Sequence, residues 1–206
     1  MFGQWLNRRT LLQLGPATLV SFLSATCSRG LTQKGSNSTA QALSPTPACG
    51  TDEATLSQTA GPFFTPNSPE RQSLLEPGLS GTPMVLTGQV LSSQCVPIAG
   101  ALVDCWHTNN QGEYDNRGYT FRGHQFTDAE GRYRIETIVP GIYSGRTRHF
   151  HIKVQAPNQP VLTTQLYFPE ESANQGDFLF NPALVMSVDD KESAKRATFD
   201  FILAVV

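Results

Sequence analysis

From residue 84 onward, apolar and polar positions alternate in short runs broken by Gly, Pro, Asn and Asp. Runs at 84–91, 101–107, 131–138, 148–155, 163–168 and 198–206 are rich in Val, Ile, Leu, Thr, Phe and Tyr, and the period of two predicts strands with one buried face. Residues 95–100, with Pro97 and Gly100, read as the turn between the first two. The helical period is weak, and a short helix is expected only at 69–76, opened by Pro69 and stopped by Pro77-Gly78. Several short strands with turn signals between them predict an all-β, single-domain β-sandwich with short or no helices.

The chain before this pattern differs. Arg8-Arg9 precede an uncharged, leucine-rich stretch from Thr10 to Ser28, so residues 1–27 are expected to be an export signal segment of the twin-arginine type. Gly15-Pro16 in its middle argues against a membrane-spanning helix. Leu23-Ser24-Ala25-Thr26-Cys27 comes close to a lipoprotein cleavage site, which makes Cys27 a candidate lipid anchor and leaves a periplasmic, extracellular or membrane-anchored location open. Residues 28–48 are read as a flexible linker, and the Ser/Thr/Gln/Pro-rich composition of an extended arm continues to about 58. The domain is taken as 49–206. An arm of this kind could pack on a second copy, so a homo-oligomer is open.

The 206 residues carry a net charge of −2 and only 16% charged side chains, with no basic run, which excludes nucleic acid as an expected partner. The four cysteines, Cys27, Cys49, Cys95 and Cys105, show no zinc-type spacing. Cys95 with Cys105, Cys49 with the core, or a free buried Cys105 are all compatible with that spacing.

The chemistry concentrates in one stretch. His149 and His151 stand two apart on a predicted strand, so both imidazoles leave the same face. Pro140-Gly141-Ile142-Tyr143 reads as a turn that delivers a tyrosine to the same neighbourhood. Tyr114 follows Gly112-Glu113 in a polar loop, where a tyrosine has no core to fill. Two imidazoles and two phenolates make a metal site, and the hard, anionic oxygen donors favour a trivalent ion such as ferric iron. The competing reading of each residue is ordinary: a hydrogen-bonded or solvent-facing histidine pair, and a tyrosine packed on the sheet. Tyr133 and Tyr167 lie within strands and are expected in the core, and His107 and His124 are expected as polar groups near the pocket.

Leu86-Thr87-Gly88-Gln89-Val90, the run from Pro97 through Asn109, Gly112-Glu113-Tyr114, Thr127 through Tyr133, Thr137 through Tyr143, His149-Phe150-His151 and Thr164 through Phe168 resemble, in order and spacing, the intradiol ring-cleavage dioxygenases. That is the family of protocatechuate 3,4-dioxygenase and catechol 1,2-dioxygenase. The resemblance implies one Fe(III) per chain held by Tyr114, Tyr143, His149 and His151, with Tyr143 leaving the metal when substrate arrives. Arg146 matches the family's active-site arginine and Gln165 its pocket glutamine. Arg148, read as sharing the ligand face, is the competing cation. The implied reaction is cleavage of a catechol-type diol by O2 between the hydroxyl-bearing carbons, giving a muconate-type dicarboxylate. Only Ser144 and Gly145 separate Tyr143 from Arg146, a shorter loop than in the protocatechuate enzymes, and Phe150 replaces an aliphatic residue. The alternatives are a non-catalytic transthyretin-like β-sandwich binding module, and a copper or zinc site with other chemistry.

Overall fold

The computed structural model describes residues 53–189 and 194–205, so the export segment at 1–27 and the linker at 28–48 lie outside the described residues. Nine strands form two sheets among them. In the first, β1 (Pro83–Ser92) pairs antiparallel with β4 (Arg132–Ile138) on one side. On its other side it pairs parallel with β8 (Lys195–Thr198) and then β9 (Phe201–Leu203), and β7 (Ser187–Asp189) flanks β8. The second sheet runs β3 (Arg122–Phe126), β2 (Leu102–Trp106), β5 (His149–Gln155), β6 (Leu162–Tyr167) and is antiparallel throughout. The sandwich core contains Leu86, Val103, Cys105, Ile135, Phe150, Ile152, Val154 and Leu166, all but fully buried. Among the described residues no helix exceeds the single 3-10 turns at Ser172–Gln175 and Pro182–Leu184.

Several elements depart from the sequence reading, among them β7, which no predicted run covers. Of the expected strand at 198–206 only β9 at Phe201–Leu203 and the last residue of β8 are in the sheet; between them, at Gly88, β1 comes so close to the chain that a Cβ there would lie 1.8 Å from the Phe199 carbonyl oxygen. The chain jogs at Phe199-Asp200, and the Asp200 carboxylate accepts from the Gln89 N–H (2.8 Å). Strand β3 was not expected; its Arg-Gly-His-Gln-Phe sequence has no apolar alternation. The expected helix at 69–76 is extended. Its backbone exchanges hydrogen bonds with His124 of β3 (2.8 and 3.0 Å) and Glu136 of β4 (2.8 Å each), and Leu74 enters the core. Closing two open sheet edges satisfies those backbone groups and overrides a local preference worth tenths of a kcal/mol per residue.

That extended segment is the end of a strap. Thr55 N–H bonds Ile202 of β9 and Gln58 N–H bonds Thr163 of β6, each under 2.9 Å. The chain then crosses the outer face of the second sheet from the β6 edge to the β3 edge. The expected arm to about 58 is therefore packed over residues 55–58. Cys95 is disulfide-bonded and Cys105 is free and buried, which removes the Cys95–Cys105 pairing.

Candidate metal centre and active site

Alternation in the second sheet sends Val103 and Cys105 into the core and Asp104 and Trp106 to the opposite face, beneath the strap. The register lines up Arg122, Trp106, His151 and Gln165 across the four strands, with His149 opposite Tyr167 in the next row. This cross-strand row is the floor of the site.

His149 and His151 converge. Their Nε2 atoms are 3.2 Å apart and their rings nearly perpendicular, at 79°. Two nitrogens about 2.1 Å from a shared ion, at roughly right angles or wider, lie about 3.0–3.4 Å apart. The His149 Nδ1 donates to the Thr147 carbonyl (2.6 Å); a carbonyl can only accept, so Nδ1 carries the proton and the Nε2 lone pair faces inward. His151 stacks flat on Trp106 (4.9 Å, 5°). Its Nδ1 is buried without a hydrogen bond, and the nearby Thr59 carbonyl accepts from the Gln165 amide (3.0 Å). Burial pushes the His149 pKa down to about 4 against the partial offset of the Thr147 bond, and burial and the adjacent His149 push His151 well below the usual range. Both are neutral at physiological pH, the form in which imidazole binds metals.

The tyrosines arrive on two interlocked loops. Gly112 has φ +86°, and a Cβ there would lie 2.1 Å from the Ile142 carbonyl oxygen. A Cβ on Gly141 would lie 2.2 Å from the Gly112 nitrogen. The Gly141 N–H bonds the Asn109 carbonyl (2.7 Å), and the Thr108 hydroxyl bonds the Gly141 carbonyl (3.0 Å). Only glycine at both positions lets the backbones touch, and each tyrosine sits two residues beyond its glycine. The Tyr114 hydroxyl lies 3.5 Å from His149 Nε2, and the Tyr114 and Tyr143 rings are 5.7 Å apart. Phe63 of the strap stacks on Tyr114 (4.6 Å) and meets Tyr143 edge-on (5.3 Å). Burial raises the Tyr114 pKa to about 12, with Arg146 and Arg122 pulling the other way. The phenol therefore stays protonated at neutral pH unless a cation binds beside it.

Among the described residues, no group of three or more His, Cys, Asp or Glu side chains is arranged to hold a metal ion. A metal here needs the tyrosines. Two imidazole nitrogens, the Tyr114 hydroxyl beside one of them and a second tyrosine ring 5.7 Å from the first suit a hard trivalent cation.

Arg146 follows a tight turn, its N–H bonded to the Tyr143 carbonyl (2.9 Å). Its Nη2 donates to Gln165 Oε1 (2.7 Å), and its Nε pairs with Asp177 (2.8 Å). Arg148 does not share the ligand face. It lies just before β5 and pairs with Glu171 (2.7 Å) and the Pro140 carbonyl. Tyr133 is in the core as expected, donating to the Phe199 carbonyl (2.7 Å). Tyr167 is buried but on the site side, its hydroxyl among Gln58 Oε1, Leu179 O and Gln165 Oε1 (2.6, 2.7 and 3.2 Å). His107 is held away from the pair by Thr137 and Thr108 (2.6 and 2.7 Å), and His124 bonds Ser68 of the strap (3.1 Å).

The sequence reading missed Arg122, Phe63 and Asp177. Buried Arg122 donates to the Phe63 carbonyl (2.6 Å) and the Asp115 carbonyl (2.8 and 3.0 Å), tying the strap to the Tyr114 loop. Its one local signal is the i, i+2 relation to His124.

Residues 59–205 match the family described as dioxygenase. The solved structure of the dioxygenase domain of a dioxygenase carbohydrate-binding protein fusion from Streptomyces sp. SirexAA-E is 49% identical with a TM-score of 0.73, covering 75% of this chain and 100% of that one. Chlorocatechol 1,2-dioxygenase of Pseudomonas sp. (strain P51) is 28% identical over 170 residues, 69% of this chain and 68% of that protein. Catechol 1,2-dioxygenase of Pseudomonas sp. (strain EST1001) is 29% identical over 147 residues, 58% and 49% of the two. The chain thus spans about half to two thirds of the length of these curated relatives. With the sandwich, the match over 59–205 and relatives of this kind, the chain belongs to the intradiol ring-cleavage dioxygenase family.

Proposed function

We propose that this protein is a non-haem Fe(III)-dependent dioxygenase that opens catechol-type diols between the hydroxyl-bearing carbons, giving muconate-type dicarboxylates. One observation carries the reading: the two histidine Nε2 atoms 3.2 Å apart, with the Tyr114 hydroxyl 3.5 Å from one of them. Tyr114, Tyr143, His149 and His151 are the residues that would hold the iron, and the identity of the metal comes from the resemblance to the family. When bound, ferric iron would stabilise both phenolates and activate a chelated diolate toward O2.

The chain's own groups do the rest. Tyr143 is only half-buried, and its phenolate oxygen is the group that takes a proton from the incoming diol. The Arg146 guanidinium, its Nη2 on Gln165, supplies fixed positive charge for the electron-rich ring and the oxyanion that develops on it. Gln165 gives its Nε2 to the Thr59 carbonyl, which orients the amide and locks strap to floor. Phe63 packs on Tyr114, and Phe64 packs on Trp106, whose ring covers His151, so the strap's aromatic side chains shield the ligands on one side. We further propose export through the 1–27 segment, so that the diols are met outside the cytoplasm, with Cys27 the candidate lipid anchor of a membrane-attached form.

The test is a visible spectrum with a metal assay, before and after catechol is added without oxygen. The expected result is about one iron per chain and a tyrosinate charge-transfer band that moves to longer wavelength with catechol. A protein that stays colourless after ferric reconstitution would overturn the reading, and bound zinc or copper would redirect it.

A further inference from the structure

The active-site arginine is held from behind. Asp177 lies in the loop after the first 3-10 turn and is 1% exposed in its side chain, against 14% for Arg146. Its carboxylate accepts from Arg146 Nε with both oxygens (3.0 and 2.8 Å), from Thr147 N–H (2.8 Å) and from Leu179 N–H (2.9 Å). Every partner is a donor, so a charged acceptor with no hydrogen of its own satisfies all of them. With Nε gripped, the neighbouring terminal nitrogen Nη2 reaches Gln165 Oε1. The same carboxylate holds the Thr147 N–H, and the Thr147 carbonyl orients His149 through Nδ1. Arg146 is otherwise a flexible side chain on a turn, with several rotatable bonds to order.

We propose that Asp177 is the positioning residue for Arg146: it fixes the guanidinium by Nε so that Nη2 engages Gln165 on the face that carries His149 and His151. The catalytic part of this proposal rests on the dioxygenase reading above; the positioning part does not. An asparagine at 177 keeps one acceptor oxygen and turns an NH2 group toward donors, so it breaks the grip with little change in volume.

The experiment compares wild type, D177N, R146A and the D177N/R146A double variant. In metal-free protein, the Arg146 Nε–H resonance, assigned by its loss in R146K, should be slow to exchange in wild type and lost or fast-exchanging in D177N. In iron-loaded protein, D177N should lower kcat for catechol at least tenfold with iron content unchanged. The double variant should be no slower than R146A alone, because the amide oxygen of an asparagine at 177 still accepts from the Thr147 N–H that supports His149, and the grip on the arginine is what the substitution removes. An unchanged Nε–H resonance in D177N would overturn the proposal. So would a further tenfold loss when D177N is added to R146A, or a D177N protein that fails to fold or to hold iron. If wild type turns over no diol, the dioxygenase reading fails and the resonance still decides the positioning.

Discussion

His149 and His151 are set apart from other buried histidines by what faces them. A buried histidine usually finds an acceptor and a donor, as His107 does with the Thr108 carbonyl and the Thr137 hydroxyl. The Nε2 atoms of His149 and His151 instead face each other, and the phenol of Tyr114 adds a third polar atom to the same spot. Replacing His149 or His151 with Ala should lower iron content to about a tenth or less and abolish the visible band, since lost ligands cost more than the 10–100-fold typical of their supporting groups. A colorimetric iron assay on the folded variants checks this, and variants that keep both iron and colour would remove the ligand assignment. The i, i+2 spacing made the pair legible in the sequence, and parity along the expected strand at 148–155 should have excluded Arg148, which precedes β5 and pairs with Glu171. Asp177 was not legible, because nothing near it in sequence marks a carboxylate that ends up beneath an arginine 31 residues away.

At the scale of elements, the site depends on two loops whose backbones touch at Gly112 and Gly141. Gly141→Ala would bring a Cβ to 2.2 Å from the Gly112 nitrogen and 2.7 Å from the Asn110 carbonyl oxygen, and both are backbone atoms. The loops must separate, at a cost of about 3 kcal/mol or more, at or beyond the upper end of ordinary overpacking. The expected outcome is a lower urea midpoint together with an altered tyrosinate band, because Tyr114 and Tyr143 move apart. A variant with wild-type stability and colour would show that the clasp does not position the tyrosines. The strap is the other element the site depends on, and it was the part least legible beforehand. Residues 69–76 have a plausible helix start and stop, and only pairing with β3 and β4, distant in sequence, makes them extended.

At the scale of the whole molecule, three neutral histidines are buried in one small sandwich. Burial pushes the His107 pKa down to about 3, and the sign of its contribution follows. The unfolded chain takes up a proton near pH 6.5 while the folded chain does not until about 3, so stability falls as pH drops between these values. The slope is at most about 1.4 kcal/mol per pH unit for this group. In metal-free protein, urea midpoints measured from pH 7 to 4 should fall for wild type and fall less steeply for His107→Gln, whose amide can still reach Thr137. Equal slopes would mean that His107 is protonated in the fold.

Alternation by itself determined the sandwich and six of its strand regions, because a half-buried strand writes its two faces into neighbouring positions of the chain. It also determined that His149 and His151 share a face, for the same short-range reason. The tyrosine pair was legible in its local setting, a Pro-Gly turn before Tyr143 and a polar loop around Tyr114, and the resemblance joined the two into one ligand set. Tertiary structure alone decided what the histidines face and what surrounds them: the strap with Phe63 above, Arg122 tying it to the Tyr114 loop, Asp177 behind Arg146, and Tyr167 on the site side. Each of these depends on contacts between positions far apart in the chain, and no local pattern of polar and apolar residues encodes which distant partner closes over a given face.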